Sequence, residues 1–171
     1  MLKRVYKYPL FYILVNELFS LTFASRVRKK VLERFSNKRI LEVGIGYTNP
    51  LYSNEVGVDV SKEMLKHTKK FCQVSQASAY NLPFKANSFD AVFFSFSFCV
   101  LENPVQALKE AKRVGEKVIM LEYIKPEWLP EKLWKILNLG GRALYGSKDY
   151  SSFLRKFKKE KFCEFYAVYS S

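Results

Sequence analysis

ILEVGIGYTNPLYSNEVGVDV, residues 40–60, reads as a strand, a glycine turn and a second strand that ends in an acid. Glu42 stands two residues before Gly44, Gly46 follows, and Asp59 closes the second strand thirteen residues later. Glycine has no Cβ to restrict φ or block approach, so such a turn lets the backbone come close to a ligand. A dinucleotide site would require G-x-G-x-x-G, but Asn49 occupies the third glycine position and removes the closely packed helix entrance for a pyrophosphate. Nicotinamide and flavin cofactors are therefore disfavoured. The stretch TNPLYSN, residues 48–54, leaves room for about one helical turn, which Pro50 suits.

On either side of this stretch the hydrophobic period alternates between strand and helix. RILEVG and EVGVDV predict two strands, and SKEMLKHTKKF a helix capped by Ser61 with Glu63 in its first turn. FCQVSQAS predicts a third short strand, and FDAVFFSFSF a nearly continuous apolar strand buried on both faces of a parallel sheet. NPVQALKEAKRV is an amphipathic helix, and KVIMLEY a fifth strand. Residues 9–22 and 25–35 predict an N-terminal helical pair, with Ser25 as N-cap of the second and Val27, Val31, Leu32 and Phe35 as its buried stripe. Toward the end, Trp128 to Leu137 predicts a proline-started helix, Tyr150 to Lys158 another, and FCEFYAVYSS a single terminal strand. This alternation predicts an α/β fold: a Rossmann-like, doubly wound, mostly parallel sheet of six or seven strands with N-terminal helices.

With 171 residues and 49% hydrophobic side chains, the chain fits one domain able to bury roughly 70% of its unfolded surface. Within it, residues 1–37 form the N-terminal helices, 38–124 the cofactor-binding core, and 125–171 the substrate-side helices and terminal strand. The formal net charge is +13, unevenly spread: 8 basic against 2 acidic residues in 1–37, 11 against 9 in 38–124, and 10 against 5 in 125–171. The core is nearly neutral and both flanks are basic, which favours an anionic partner surface. Three cysteines without paired metal-ligand spacing suggest neither a disulfide framework nor a metal site, and point to a reduced, cytoplasmic setting. The N-terminal apolar run is interrupted by Asn16 and Glu17, too short for a bilayer span and unlike a secretory signal.

The order Glu42-Val-Gly44-Ile-Gly46-Tyr-Thr48, then GVDVSKEML, then NLPF followed by SFDAV resembles class I S-adenosylmethionine-dependent methyltransferases over about Arg39 to Tyr123. Thr48 replaces the last glycine of the family's first motif. The resemblance implies S-adenosylmethionine as cofactor, with Glu42 serving its methionine end, directly or through water, and Gly44 and Gly46 passing close to it. Asp59 would accept from both ribose hydroxyls, and Val60 and Met64 would pack on adenine with Ser78 and Ala79 at its edge. Ser95 and Phe96, ending the fourth strand, would face the transferred methyl.

Tyr12 to Lys30 further resembles the entry segment of menaquinone and ubiquinone C-methyltransferases, with phosphatidylethanolamine N-methyltransferases similar to it. Ile13, Thr22 and Val27 depart from that pattern, FCVLENP lacks the quinone enzymes' Arg-Asn pair, and a single terminal strand would replace the family's hairpin. The resemblance therefore implies a small lipophilic acceptor, quinone- or phospholipid-like, met at an anionic membrane surface by a peripheral, cytoplasmic enzyme. Aromatic and aliphatic residues flanked by Lys and Arg are also what an interfacial helix needs. Tyr12, Tyr47, Tyr123 and Trp128 are substrate-side candidates. No residue stands out as a catalytic base: His67 lies among lysines, and Cys99 has no nearby base. Two alternatives remain open, an RNA methyltransferase suggested by the charge and FLRKFKKEKF, and a non-catalytic cofactor-binding interaction module.

Overall fold

The computed structural model describes residues 23–47, 55–68, 72–124, 127–130, 132–133, 154–163 and 166–171. Their strands are β1 (Ile40–Val43), β2 (Glu55–Asp59), β3 (Gln73–Gln76), β4 (Phe89–Ser95), β5 (Gly115–Tyr123), β6 (Lys158–Cys163) and β7 (Tyr166–Ser170). The helices are α1 (Phe23–Glu33), α2 (Lys62–Thr68) and α3 (Pro104–Val114), with a single 3₁₀ turn at Phe98–Val100. The strands form one sheet in the order β3-β2-β1-β4-β5-β7-β6. The first five are parallel, while β7 runs antiparallel to β5 and β6 antiparallel to β7. This is the mostly parallel, Rossmann-like sheet that the alternating pattern predicts.

Strand side chains alternate between faces, so residue parity decides which helix covers each one. Ile40, Ala91, Phe93, Ile119, Leu121 and Val168 form one face, packed on Val27, Val31 and Leu32 of α1. Leu41, Val43, Val92, Phe94, Val118 and Met120 form the other, packed on Ala107, Ala111 and Val114 of α3. In β4, Phe89 and the run Ala91–Phe94 are all buried, which explains why that strand reads as continuously apolar. Asn103 caps α3 by accepting the Gln106 N–H at 3.1 Å, and Pro104 starts the helix where its missing N–H costs nothing. From α3, Arg113 donates to the carbonyls of Leu82 and Phe84, and Glu110 accepts the Leu82 N–H, bracing the NLPF loop.

Three expectations are corrected. The chain ends in a hairpin, β6 and β7, rather than in one strand, and Lys158 belongs to β6 and not to a helix. The β6 sequence KKEKFC has charged residues at its first four positions, so it lacks the alternation of a half-buried strand; as the sheet's edge it has only one neighbour to satisfy. Ser25 lies inside the first turn of α1, not at its cap. The predicted helix at 9–22, the turn at 48–54 and residues 131 and 134–137 of the helix predicted at 128–137 lie outside the described residues.

Candidate functional site

The chain leaves β1 toward β2 on one side and reaches β4 on the other, so the strand order reverses between β1 and β4. A crevice opens at the carboxyl ends of the strands at such a reversal, the usual ligand position in open α/β sheets. The turn after β1 lies there. Gly44 and Gly46 have φ of +73° and +57°, a region costly for any residue with a Cβ. The N–H groups of Gly44 and Ile45 both donate to Val58 O, at 2.8 and 3.1 Å, which ties the turn to β2. At Gly44 a Cβ would lie 2.6 Å from Ser97 Cβ, whereas at Gly46 the nearest atoms are at 3.9 Å. The turn is thus pressed against the post-β4 segment at Gly44 and roomier at Gly46.

Asp59 is 7% exposed, and one carboxylate oxygen accepts the Gly46 N–H at 2.9 Å while the other accepts the Ser61 N–H at 2.8 Å. Burial pushes its carboxyl above the ordinary value, against the pull of the N–H donors of Ser61, Gly46 and Val60. A carboxylate offers about four acceptor positions, so these three donors still leave room for a ligand's hydroxyl. Val60, beside it, is 60% exposed; Met64 is buried on α2. The Ala77 N–H donates to Asp59 O at 3.1 Å, bringing the Ser78–Ala79 turn alongside the end of β2. Ser78 Oγ accepts the Tyr80 N–H, and Ala79 is buried against the core. Ser95 ends β4, and Phe96 follows with φ +54°.

Glu42 is used differently from Asp59. It is 1% exposed, and its parity with Ile40 turns it toward α1. Arg28 Nε donates to one Glu42 oxygen at 3.3 Å, while Nη2 bonds the other and also Glu55. Burial raises the Glu42 carboxyl, with the Arg28 charge opposing it. One guanidinium thus serves two buried carboxyls beneath the turn. Tyr47, next to Gly46, is exposed, as is Trp128 after β5; Tyr123 ends β5, and Tyr12 and Thr48 lie outside the described residues.

Four contributors were missed from sequence. Arg28 sits inside the apolar stripe of α1, between Val27 and Val31, and a cation at such a position signals a buried acidic partner. Glu55 is that second partner. Thr68, fully buried on α2, donates its hydroxyl to Gly46 O at 2.7 Å, and Ser97 donates to Val43 O at 2.6 Å. Neither hydroxyl leaves a local signature, because each partner is distant in sequence. Among the described residues, no group of three or more His, Cys, Asp or Glu could hold a metal ion, and Cys72 and Cys99 are free thiols.

A family model described as a methyltransferase domain matches residues 41–117. A demethylmenaquinone methyltransferase of Streptomyces avermitilis is 32% identical over 160 residues, covering 81% of this chain and 69% of that protein. This chain belongs to the class I S-adenosylmethionine-dependent methyltransferases. An uncharacterized protein of Methanocaldococcus jannaschii is 33% identical over 127 residues, covering 72% of this chain and 51% of that one. A solved SAM-dependent methyltransferase of Thermotoga maritima has the same fold, with a TM-score of 0.57 at 20% identity, covering 92% and 98% of the two chains. The chain spans about half to two thirds of the length of the curated relatives it matches.

The cofactor of this methyltransferase family is S-adenosylmethionine, and the turn suits such a phosphate-free ligand. The glycines of the turn are left-handed, and among the described residues a Cβ at Gly46 would meet nothing closer than 3.9 Å. No third glycine is needed, because no pyrophosphate must approach a helix end.

Buried carboxyls in this methyltransferase also set its response to pH. Glu122, at the end of β5, is fully buried and its carboxyl is pushed up to about 8 by burial. Its folded form therefore keeps a proton that the unfolded chain releases above its ordinary carboxyl range. Stability is fully present below that range, and is lost as pH rises toward about 8, at roughly 1 kcal/mol per pH unit. Thermal melts between pH 5 and 8 are expected to show this decline, and Glu122→Gln to remove its share of the slope.

Proposed function

We propose that this chain transfers the methyl group of S-adenosylmethionine to a small lipophilic acceptor. The observation that carries the cofactor half is the Asp59 carboxylate, joined to the Gly46 N–H across the turn and to the Ser61 N–H behind it. Those bonds aim the carboxylate at the strand ends, where it would accept the ribose hydroxyls. Gly44 and Gly46 would pass under the methionine end. Val60 and Met64 would flank adenine, with Ser78 and Ala79 at its edge and Ser95 and Phe96 toward the methyl. Glu42 would act from beneath, through the turn it underlies, since its carboxylate is engaged by Arg28. The bound cofactor supplies an electrophilic methyl on a sulfonium. The protein's part is to hold that methyl in line with the acceptor and exclude water, which needs no acid or base when the acceptor is already activated.

Support for a quinone- or phospholipid-like acceptor comes from the demethylmenaquinone methyltransferase relative and from the exposed apolar residues Trp128 and Leu133 in a basic flank. Basic and apolar side chains together favour an anionic lipid surface. Among the described residues, no helix is long and apolar enough to cross a membrane. Tyr12, Tyr47 and Tyr123 would close the acceptor side.

A second reading, RNA as acceptor, is favoured by the exposed Lys158, Lys159 and Lys161 of β6. The two separate in a labelled-methyl assay over lipid extract and over RNA, with salt titration of binding. Several phosphate contacts make affinity fall steeply with salt. Product in the lipid fraction only, with weak RNA binding, is the expected result; label in RNA reverses the assignment, and cofactor binding without product in either leaves a non-catalytic module.

Asp59→Ala tests the site directly. Loss of charge-assisted hydrogen bonds is expected to weaken S-adenosylmethionine binding by about 1.5–3 kcal/mol in titration calorimetry. An unchanged dissociation constant would count against the ribose assignment.

A further inference from the structure

We propose that Glu122 is a positioning residue for this site: from the end of β5 it fixes the turn after β4 and, through Ser97, holds the glycine turn in its cofactor-binding shape. The proposal rests on the reading of Gly44–Gly46 as the cofactor turn. Glu122 is fully buried, and its Oε1 accepts the N–H groups of Phe98 and Cys99 at 3.1 and 3.3 Å. Among the described residues, its Oε2 has no hydrogen-bond partner. Among the described residues, the ionisable side chain acting on it is that of Cys99, and no cation offsets its burial. A buried carboxyl without a cation is costly, and an apolar side chain of similar volume would pack there at less expense. What an apolar side chain could not do is receive the first two N–H groups of the 3₁₀ turn.

That turn leads directly to the cofactor side. Phe96 is held in a left-handed conformation, with its N–H donated to Leu121 O at 2.9 Å on one side and the Phe98 N–H tied to Glu122 on the other. Between them, Ser97 bonds Val43 O through its hydroxyl, and its Cβ lies 2.6 Å from where a Cβ on Gly44 would stand. Backbone strain and an orphan acceptor therefore meet in one segment, which links the end of β5 to the turn after β1. Because Glu122 is sealed from solvent, its carboxyl acts on the site through the Oε1 bonds to this segment and not by touching a ligand.

The test uses the full chain with Glu122→Gln, which keeps the Oε1 acceptor, and Glu122→Leu, which does not. Backbone amide signals of Gly44, Ile45, Phe98 and Cys99 are followed from about pH 6 to 9, with S-adenosylhomocysteine binding measured by calorimetry. In the unmodified chain all four amides are expected to share one midpoint, and in the glutamine variant that component is expected to vanish, leaving on Gly44 and Ile45 only the shift that Glu42 beneath the turn contributes. The glutamine variant is expected to bind within about threefold of the unmodified chain, and the leucine variant at least about tenfold more weakly. If the leucine variant does not fold, the titration of the other two proteins still decides. Movement of Phe98 and Cys99 without Gly44 and Ile45 would overturn the link, as would undiminished binding by a folded leucine variant. Failure of the unmodified chain to bind S-adenosylhomocysteine would instead overturn the cofactor reading, leaving the amide coupling as the separate measure of the link.

Discussion

Gly44→Ala is expected to cost about 2–5 kcal/mol of folding stability and to weaken S-adenosylmethionine binding by at least about tenfold. Two effects combine. The backbone at φ +73° is unfavourable for any side chain, and the added methyl would come to 2.6 Å from Ser97 Cβ. That neighbour cannot swing away, because the contact is at its Cβ and its hydroxyl is bonded to Val43 O. Relief therefore has to come from the backbone of the turn, which is the part proposed to meet the cofactor. Chemical denaturation with binding calorimetry checks both quantities. Adding Ser97→Gly to Gly44→Ala removes the steric part and leaves the conformational part, so the double variant should recover only a fraction of the loss. A Gly44→Ala protein as stable and as tight-binding as the original would show that the turn is not held in this shape.

Arg28→Met is the second large effect, with an expected loss of about 3–5 kcal/mol of stability at neutral pH. The guanidinium serves Glu42 and Glu55 together, and both acids are 1% exposed. Without it, two buried carboxyls face each other under the glycine turn with no cation. The loss should shrink as pH falls and Glu42, whose carboxyl is already raised by burial, takes up a proton. Replacing Glu42 and Glu55 by glutamine in the same chain should restore most of the stability, because breaking a buried ion cluster costs more than removing all of it. Denaturant midpoints for the three proteins at two pH values test this. The surface pair of Arg34 with Glu160, each about half exposed, gives the contrast: its removal should change stability by under about 1 kcal/mol.

Local pattern was enough to read the strand–helix alternation, because a strand buried on both faces, such as β4, and an amphipathic helix, such as α3, each carry their periodicity in contiguous residues. The glycine turn was legible for a similar reason: Gly44 and Gly46 follow a strand directly, and their absence of Cβ marks the place whatever surrounds it. The end of the chain was read less well. β6 is an edge strand with lysines at Lys158, Lys159 and Lys161, and its partner β7 is defined by pairing, not by its own pattern.

The sequence by itself determined the order of elements, the left-handed turn after β1 and the acid closing β2, since each depends on neighbours within a few residues. Only the tertiary structure decided what those acids do. Strand parity and the packing of α1 turned Glu42 onto Arg28, while β5 lying beside β4 brought Glu122 under the Phe98 and Cys99 amides. These contacts span 14 to 24 residues, beyond the reach of any local period, and arise only when the sheet brings separate strand ends to one edge.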